Sequence, residues 1–565
     1  MPVGLAAAGR HAACCTRVDR HTDEAPPWPD LHPRSPAAAC SPQLPPPHWL
    51  SARTAEAQAA PLRIATSISD IPRLWGGPEA GFEGIRFGAL FLYDALINWD
   101  LSSADRPSGL VPGLATSWRV DPEDRRKWVF SLRPGVRFHD GSPFDAEACA
   151  WNFASVLDQG APQFDALRAG LVRTRLTSIA SWRVIDPMTF EVTTHAPDAL
   201  FPYQAPFLWM VSPAHWRALG GDWQRFAANP SGTGPYRFVS LRPRERAEFE
   251  PNTDYWDKER IPRVPRTVLL PMPEGTARVA ALRAGQVDVV ETVPPDTIAS
   301  LRAAGLRVVM NAYPHVWAWR LSVLPDSPFR DVRVRRAANL AVDRDAIVAM
   351  LAGSALPAKG KITPDHPWFG RPSFDLRYDP DAARALMREA GFGPDRRAAI
   401  SVIIASGGGG QMVPMPMNEA LQEMLRAIWI DVTFQVVDFA TIINMLRAGA
   451  RAPTARGAAA INIAIPTMDP TTGWIIYDRD LAPPRGVNWG EYDSPAVQAQ
   501  LAAARSAFGD EENRAAMARL HEILVEEAAA LFVVHDLNPR ALSPRVRGFV
   551  QARNWFQDYT RISFG

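Results

Sequence analysis

Cysteine is nearly missing from the body of this chain. Three of the four (Cys14, Cys15 and Cys40) fall in the first 40 residues, and beyond them only Cys149 remains, in a stretch patterned as a helix. A single thiol builds neither a disulfide framework nor a cysteine-based metal site. Lysine is scarce as well: of 61 basic residues only Lys127, Lys258, Lys359 and Lys361 are lysine, a bias read as GC-rich coding rather than as special arginine chemistry. No block of like charge accumulates and the formal net charge is +1, which argues against nucleic acid as a partner. No apolar run approaches the roughly 18 residues that span a bilayer.

Catalytic templates are missing too. There is no Gly-x-Ser-x-Gly elbow for an α/β-hydrolase nucleophile. "HEILV" at 521 has no second histidine four residues on, and "AKGKIT" lacks both the leading glycine and the trailing hydroxyl of a phosphate loop. The glycines of "SGGGGQM" (406–412) are consecutive, not spaced as a dinucleotide fingerprint requires; they bare backbone N–H groups to a ligand or form a flexible loop. The body's histidines (139, 195, 215, 315, 366, 521, 535) share no metal-ligand spacing. The expectation is therefore no catalytic residue, no metal site and no cofactor.

What is present is length, 565 residues, enough for two or three domains. Residues 1–60 are rich in Ala, Pro, Arg and His with no period of 2 or 3.6, and no packed element is expected there. "AEAQAAPLRIA" offers an Ala-x-Ala cleavage site at Ala57–Ala59 ahead of a strand; the expectation is an exported protein whose signal peptide is displaced by a wrong start or frame, against a genuine disordered tail on a cytoplasmic protein.

From Pro61 the punctuation is regular. "ATSWRV" and "KWVFSLR" form a hairpin about "DPED", and "PGVRFHDGSPF" reads as a further strand closed at Asp140-Gly141. Asp145 caps a helix with an apolar stripe through Ala146, Cys149, Phe153 and Val156. Helix-then-strand units follow at "ARVAALRAGQVDVVETV", "DVRVRRAANLAVDRDAIVAMLAG", "DPDAARALMREAGF" (Asp381 as cap, Gly391 as stop) and "MNEALQEMLRAIWIDVTFQVVD". Two final helices lead into "ALFVVHD". No Gly/Ser linker separates domains, so the chain is expected to cross between interleaved lobes more than once. Nineteen tryptophans, many beside turn residues (Trp75, Trp209, Trp317, Trp319, Trp474, Trp489, Trp555), suit core packing or the apolar walls of a ligand cleft.

The segments "GLATSWRVDPEDRRKWVFSLRPGVRFHDGSPFDAE", "NPSGTGPYRFVSLRPRERAEFEPNTDYWD", "ARVAALRAGQVDVV", "PFRDVRVRRAANLAVDRDAIV" and "YDPDAARALMREAGF" run in order. With the closing "NWGEYDSPAVQAQL" to "SPRVRGF", they resemble the extracytoplasmic solute-binding proteins of peptide, dipeptide and nickel ABC importers, over about residues 61–565. The resemblance implies an α/β, type II periplasmic-binding-protein-like fold of two hinged lobes with a small domain inserted in the first. The implied division is lobe I at 61–96, 219–311 and 531–565, the small domain at 97–218 and lobe II at 312–530. It implies a periplasmic monomer that captures a peptide or peptide-like solute by hinge closure and delivers it to the membrane permease subunits of an ABC importer. In peptide binders of the family an acidic residue before an Asp-Pro pair holds the ligand's amine; here Pro466, Thr467 and Met468 precede Asp469-Pro470, so either Asp469 is the anchor or the ligand lacks that amine. The expected cleft residues are Trp317, Gln411, Met412, Asp469 and Trp489, with His535 either contacting ligand or joining Asp536 and Arg540 in a hinge network. A peptide hydrolase on the same cleft, or a receptor read by a chemosensory partner, are the alternatives.

Overall fold

Strand Leu62–Thr66 is buried at every position but Arg63 because it lies between two parallel neighbours, Thr267–Pro271 and Val289–Val290. The computed structural model describes residues 60–77, 90–407, 413–467, 470 and 474–565, which belong to one compact unit, Ala59–Gly565. Around Leu62–Thr66 the first lobe's sheet runs Arg307–Val309, Arg540–Leu542, Val289–Val290, Leu62–Thr66, Thr267–Pro271, Arg246–Pro251, Tyr236–Arg242. Helix Gly275–Arg283 stops ahead of Gly285, whose φ of 68° suits a residue without Cβ, and feeds Val289–Val290 as its pattern predicts.

The second lobe is built on a sheet ordered Ala355–Pro357, Ala530–Asp536, His315–Leu321, Ala460–Asn462, Ala398–Ala405, Ile430–Val437. Its central strands His315–Leu321 and Ala530–Asp536 are buried at every position. Trp317, Trp319 and Leu321 pack with Met417, Leu421 and Leu425 of helix Pro414–Arg426 and with Ala383 and Met387 of helix Pro380–Glu389. The small domain is a four-stranded antiparallel sheet, Ala115–Val120, Lys127–Leu132, Thr189–Thr194, Ile179–Asp186, covered by helix Ala146–Leu157. That helix is capped as expected: the Asp145 side chain accepts from the Ala148 N–H, and Ala146, Cys149, Phe153 and Val156 are buried.

Local expectations fail where a side chain takes over a backbone job. Residues 134–144 make only one isolated bridge, Arg137 to Pro143, instead of a strand. Asp140 there accepts from the hydroxyls of Ser142, Ser212 and Ser231 at 3.0–3.1 Å, which fixes the bend by side-chain bonds instead of a ladder. The cap of helix Pro380–Glu389 is Asp379, not Asp381, because Pro380 takes the first helical position and the aspartate ahead of it then bonds the Ala382 N–H. "DVRVRRAANLAVDRDAIVAML" is two helices, Val332–Ala341 and Arg344–Met350, the second capped by Asp343.

The Gly-Thr-Gly-Pro segment has a packing cause. A Cβ on Gly232 would lie 2.0 Å from the Leu92 carbonyl oxygen, and one on Gly234 2.5 Å from its carbonyl carbon. Beside this close approach, buried Asp94 accepts from the Tyr255 hydroxyl (2.9 Å), the Trp256 indole (2.9 Å) and the Thr233 hydroxyl (3.0 Å). The aromatic pair that ends the segment thus fastens it to the start of the lobe.

Candidate ligand cleft

The chain passes between the two large sheets at residues 310–314 and again at 537–539, downstream of residue 531, since strand Ala530–Asp536 belongs to the second sheet. The crossings are tied side by side. The Asn311 N–H donates to the Leu537 carbonyl (3.0 Å) and the Tyr313 N–H to the Asp536 carbonyl (2.8 Å). Asn311 Nδ2 reaches the Ala104 and Gln551 carbonyls, and Gln551 Nε2 returns to Leu537 and Asn538. Asn538 holds a left-handed φ of 41°. Two short crossings with their own hydrogen bonds are the form a hinge between lobes takes.

Away from the hinge the lobes face each other through named pairs. Arg553 of the first lobe pairs with Asp365 of the second. Tyr203 of the small domain meets Trp368 edge-on at 6.1 Å, and Leu200 packs among Val316, Ala318, Trp474 and Tyr477 of the second lobe. The Ala199 N–H donates to the Arg505 carbonyl at 2.7 Å. On that face of strand His315–Leu321, alternation adds a charge: Arg320 follows Val316 and Ala318. Its Nε and Nη1, the Tyr477 hydroxyl and the Trp474 indole N–H are buried with no hydrogen-bond partner.

The residues expected from sequence fall in different places. Trp317 points to the other face of the same strand, into the second lobe's core, where it is 1% exposed. Trp489 is equally buried, among Ile403, Ile442, Leu446 and Ile463, with its indole N–H unpartnered. His535 pairs with Val316 across the ladder; burial pushes its imidazole down to about 4, against the opposing pull of Asp365 and a bond to the His315 backbone, and its Nε2 is unpartnered. Asp536 and Arg540 flank the hinge: Asp536 accepts from the Asn538 N–H, and fully buried Arg540 lies 3.4 Å from Glu291, which also accepts from Tyr559. Gln411, Met412 and Asp469 lie outside the described residues. So does the N-terminal segment with its Ala-x-Ala site.

Arg320 and Tyr477 were not singled out from sequence. The available signal was "HVWAWRLSV": an arginine within an otherwise apolar strand, buried on both faces, needs a partner. Among the described residues no group of three His, Cys, Asp or Glu side chains is placed to hold a metal ion, and no helix is long and apolar enough to cross a membrane.

Two α/β lobes on a double-crossing hinge, with unpartnered donors between them, define a ligand-capturing protein. The chain belongs to the bacterial extracellular solute-binding proteins, family 5, whose middle-region model matches residues 109–462. It is 26% identical over 419 residues to di/tripeptide-binding protein 2 of Pseudomonas aeruginosa, covering 70% of this chain and 76% of that one. To the glutathione-binding protein GsiB of Salmonella paratyphi A it is 26% identical over 541 residues, covering 89% and 97%. The periplasmic binding protein DppA of Helicobacter pylori, solved with the peptide STSA, superposes with a TM-score of 0.75 at 20% identity, over 89% of this chain and 98% of that one. The fold is the type II periplasmic-binding-protein fold, and the family is one of solute-binding proteins, not enzymes.

Proposed function

We propose that this protein is the exported, periplasmic receptor of an ABC importer, a monomer that captures a peptide or peptide-like solute between its lobes and passes it unchanged to the permease subunits. The observation that carries the reading is the paired crossing at 310–314 and 537–539, flanked on the second lobe by buried donors that no protein group satisfies. Relatives named for di/tripeptides and for glutathione support a short peptide as cargo. In this reading 97–218 is the small domain that closes over the ligand. Gln411, Met412 and Asp469 contact the ligand, as does His535 near the hinge, and Trp317 and Trp489 back the wall.

Ligand that bridges both lobes stabilises the closed form by its differential affinity for it. A micromolar dissociation constant corresponds to about −8 kcal/mol. The test is thermal unfolding of residues 60–565 with di- to hexapeptides, glutathione, opines, nickel chelates and oligosaccharides, followed by mass spectrometry of the recovered ligand. At a hundredfold excess over its dissociation constant a ligand adds about 2.7 kcal/mol. One peptide class is expected to raise the melting temperature and come back intact; a cleaved ligand would replace the receptor by a hydrolase.

A further inference from the structure

Arg320 breaks the rule that the second lobe's other buried arginines obey. Arg335 donates to the carbonyls of Glu527, Phe329 and Arg330. Arg344 donates to those of Phe532, Asn339, Val342 and Leu376. Arg320 is 9% exposed, yet its Nε and Nη1 meet no acceptor. The groups that bear on it are the Tyr477 phenol, itself 3% exposed with an unpartnered hydroxyl, and the Arg175 guanidinium of the small domain. Among the described residues no carboxylate balances it.

We propose that Arg320 and Tyr477 on the second lobe, faced by Arg175 from the small domain, form a site for one compact oxyanion, and that the captured solute seats a carboxylate there. This deepens the receptor reading and rests on it. The chemistry is that of the donor set. Nε–H and Nη1–H lie on separate edges of the guanidinium, and neither meets an acceptor; the phenol adds an O–H, and the second guanidinium adds charge of the same sign. Neutral hydroxyls would leave that charge unbalanced, and a cationic group would be repelled. A carboxylate accepts along an edge of the guanidinium and from the phenol, and its bonds to them are charge-assisted.

Burial holds the Arg320 guanidinium down at about 10, with Tyr477 pulling the other way and Arg175 adding to the depression, so it remains a cation at neutral pH. A buried unpaired cation destabilises the empty protein. An arriving carboxylate removes that penalty, and it meets Arg175 of the small domain as well only where the two lobes come together. The anion therefore couples binding to closure.

The carboxylate has two possible sources in a peptide: the C-terminal α-carboxylate or an acidic side chain. Titration calorimetry on wild type, Arg320→Met, Arg320→Lys and Tyr477→Phe would use glutathione, tripeptides as free acids, the same tripeptides amidated at the C-terminus, and amidated tripeptides carrying one glutamate. Melting of each unliganded variant is recorded alongside. The expected result is that wild type prefers free acids to amides by about tenfold or more. Arg320→Met should erase that preference, Arg320→Lys retain part of it, and the unliganded Arg320→Met protein melt no lower than wild type. Retention of affinity by the glutamate-bearing amides assigns the site to a side-chain carboxylate, and its loss assigns it to the C-terminus.

Equal binding of acids and amides by wild type, or undiminished acid binding by Arg320→Met, overturns the oxyanion site and leaves the receptor reading standing. If no peptide binds wild type, the peptide reading fails. The arginine is then judged by stability alone: a lower melting temperature for unliganded Arg320→Met marks a structural group and overturns the site, whereas an equal or higher one supports it.

Discussion

Arg344 and Arg320 lie on the same lobe, and both are buried guanidiniums held below their ordinary range, at about 9 and about 10, chiefly by burial. Arg344 sits on the framework side, where its donors end on four backbone carbonyls and on the Asn339 side chain. Arg320 sits on the side that faces the small domain, where its Nε and Nη1 meet no acceptor. Burial and charge are common to both, so neither marks function. The completeness of the hydrogen bonding separates these two: Arg344 is spent on the framework, whereas Arg320 keeps donors for the proposed oxyanion.

The sharpest way to break this contrast is to remove each guanidinium. Arg344→Met strands several buried carbonyls and should cost about 3–5 kcal/mol in urea unfolding, while Arg320→Met should cost nothing or stabilise. Equal losses would erase the distinction.

Acid supplies a second, somewhat smaller effect. His521 is held down at about 3 and His535 at about 4, burial being the first cause for each. The unfolded chain takes up these protons near pH 6.5, while the native state refuses them until pH falls to about 4 or 3. Native stability contributed by neutral imidazole is therefore intact above about pH 6.5 and lost progressively below it, by roughly 3 kcal/mol per histidine at about pH 4. Melting between pH 7 and 4 should fall less steeply for His535→Gln than for wild type.

The first lobe offers a satisfied carboxylate for comparison with the unsatisfied arginine. Asp94→Ala leaves the Tyr255, Trp256 and Thr233 donors unpaired, and is expected to cost about 1–3 kcal/mol without changing ligand preference. A shift in preference would place ligand against the first lobe's framework. The smallest effect is expected at the interlobe pair Arg553–Asp365, whose aspartate is half exposed. Arg553→Gln should change stability by less than about 1 kcal/mol and alter affinity only a few-fold, as calorimetry would register.

The sequence carried the framework well because apolar periodicity and capping are local. The strand Leu62–Thr66, the helix after Asp145 and the helix stopped at Gly285 follow from residues within a few positions of each other. It misread 134–144 because Asp140 is fixed by Ser212 and Ser231, far along the chain. It placed Trp317 at a ligand because a tryptophan in a strand looks the same whichever face it takes; the register with Ala530–Asp536 turns its ring into the core and Arg320 toward the small domain. The cleft is a relation between residues 175, 320 and 477, and no window of sequence contains all three.

The most direct test of the account is small-angle X-ray scattering of residues 60–565, without and with saturating glutathione or the tightest-binding tripeptide, with the ligand assayed afterwards. The account predicts a smaller radius of gyration on binding, reversible on dialysis, with the ligand recovered intact. A bound ligand that leaves the radius unchanged, or one returned chemically altered, would contradict capture by hinge closure.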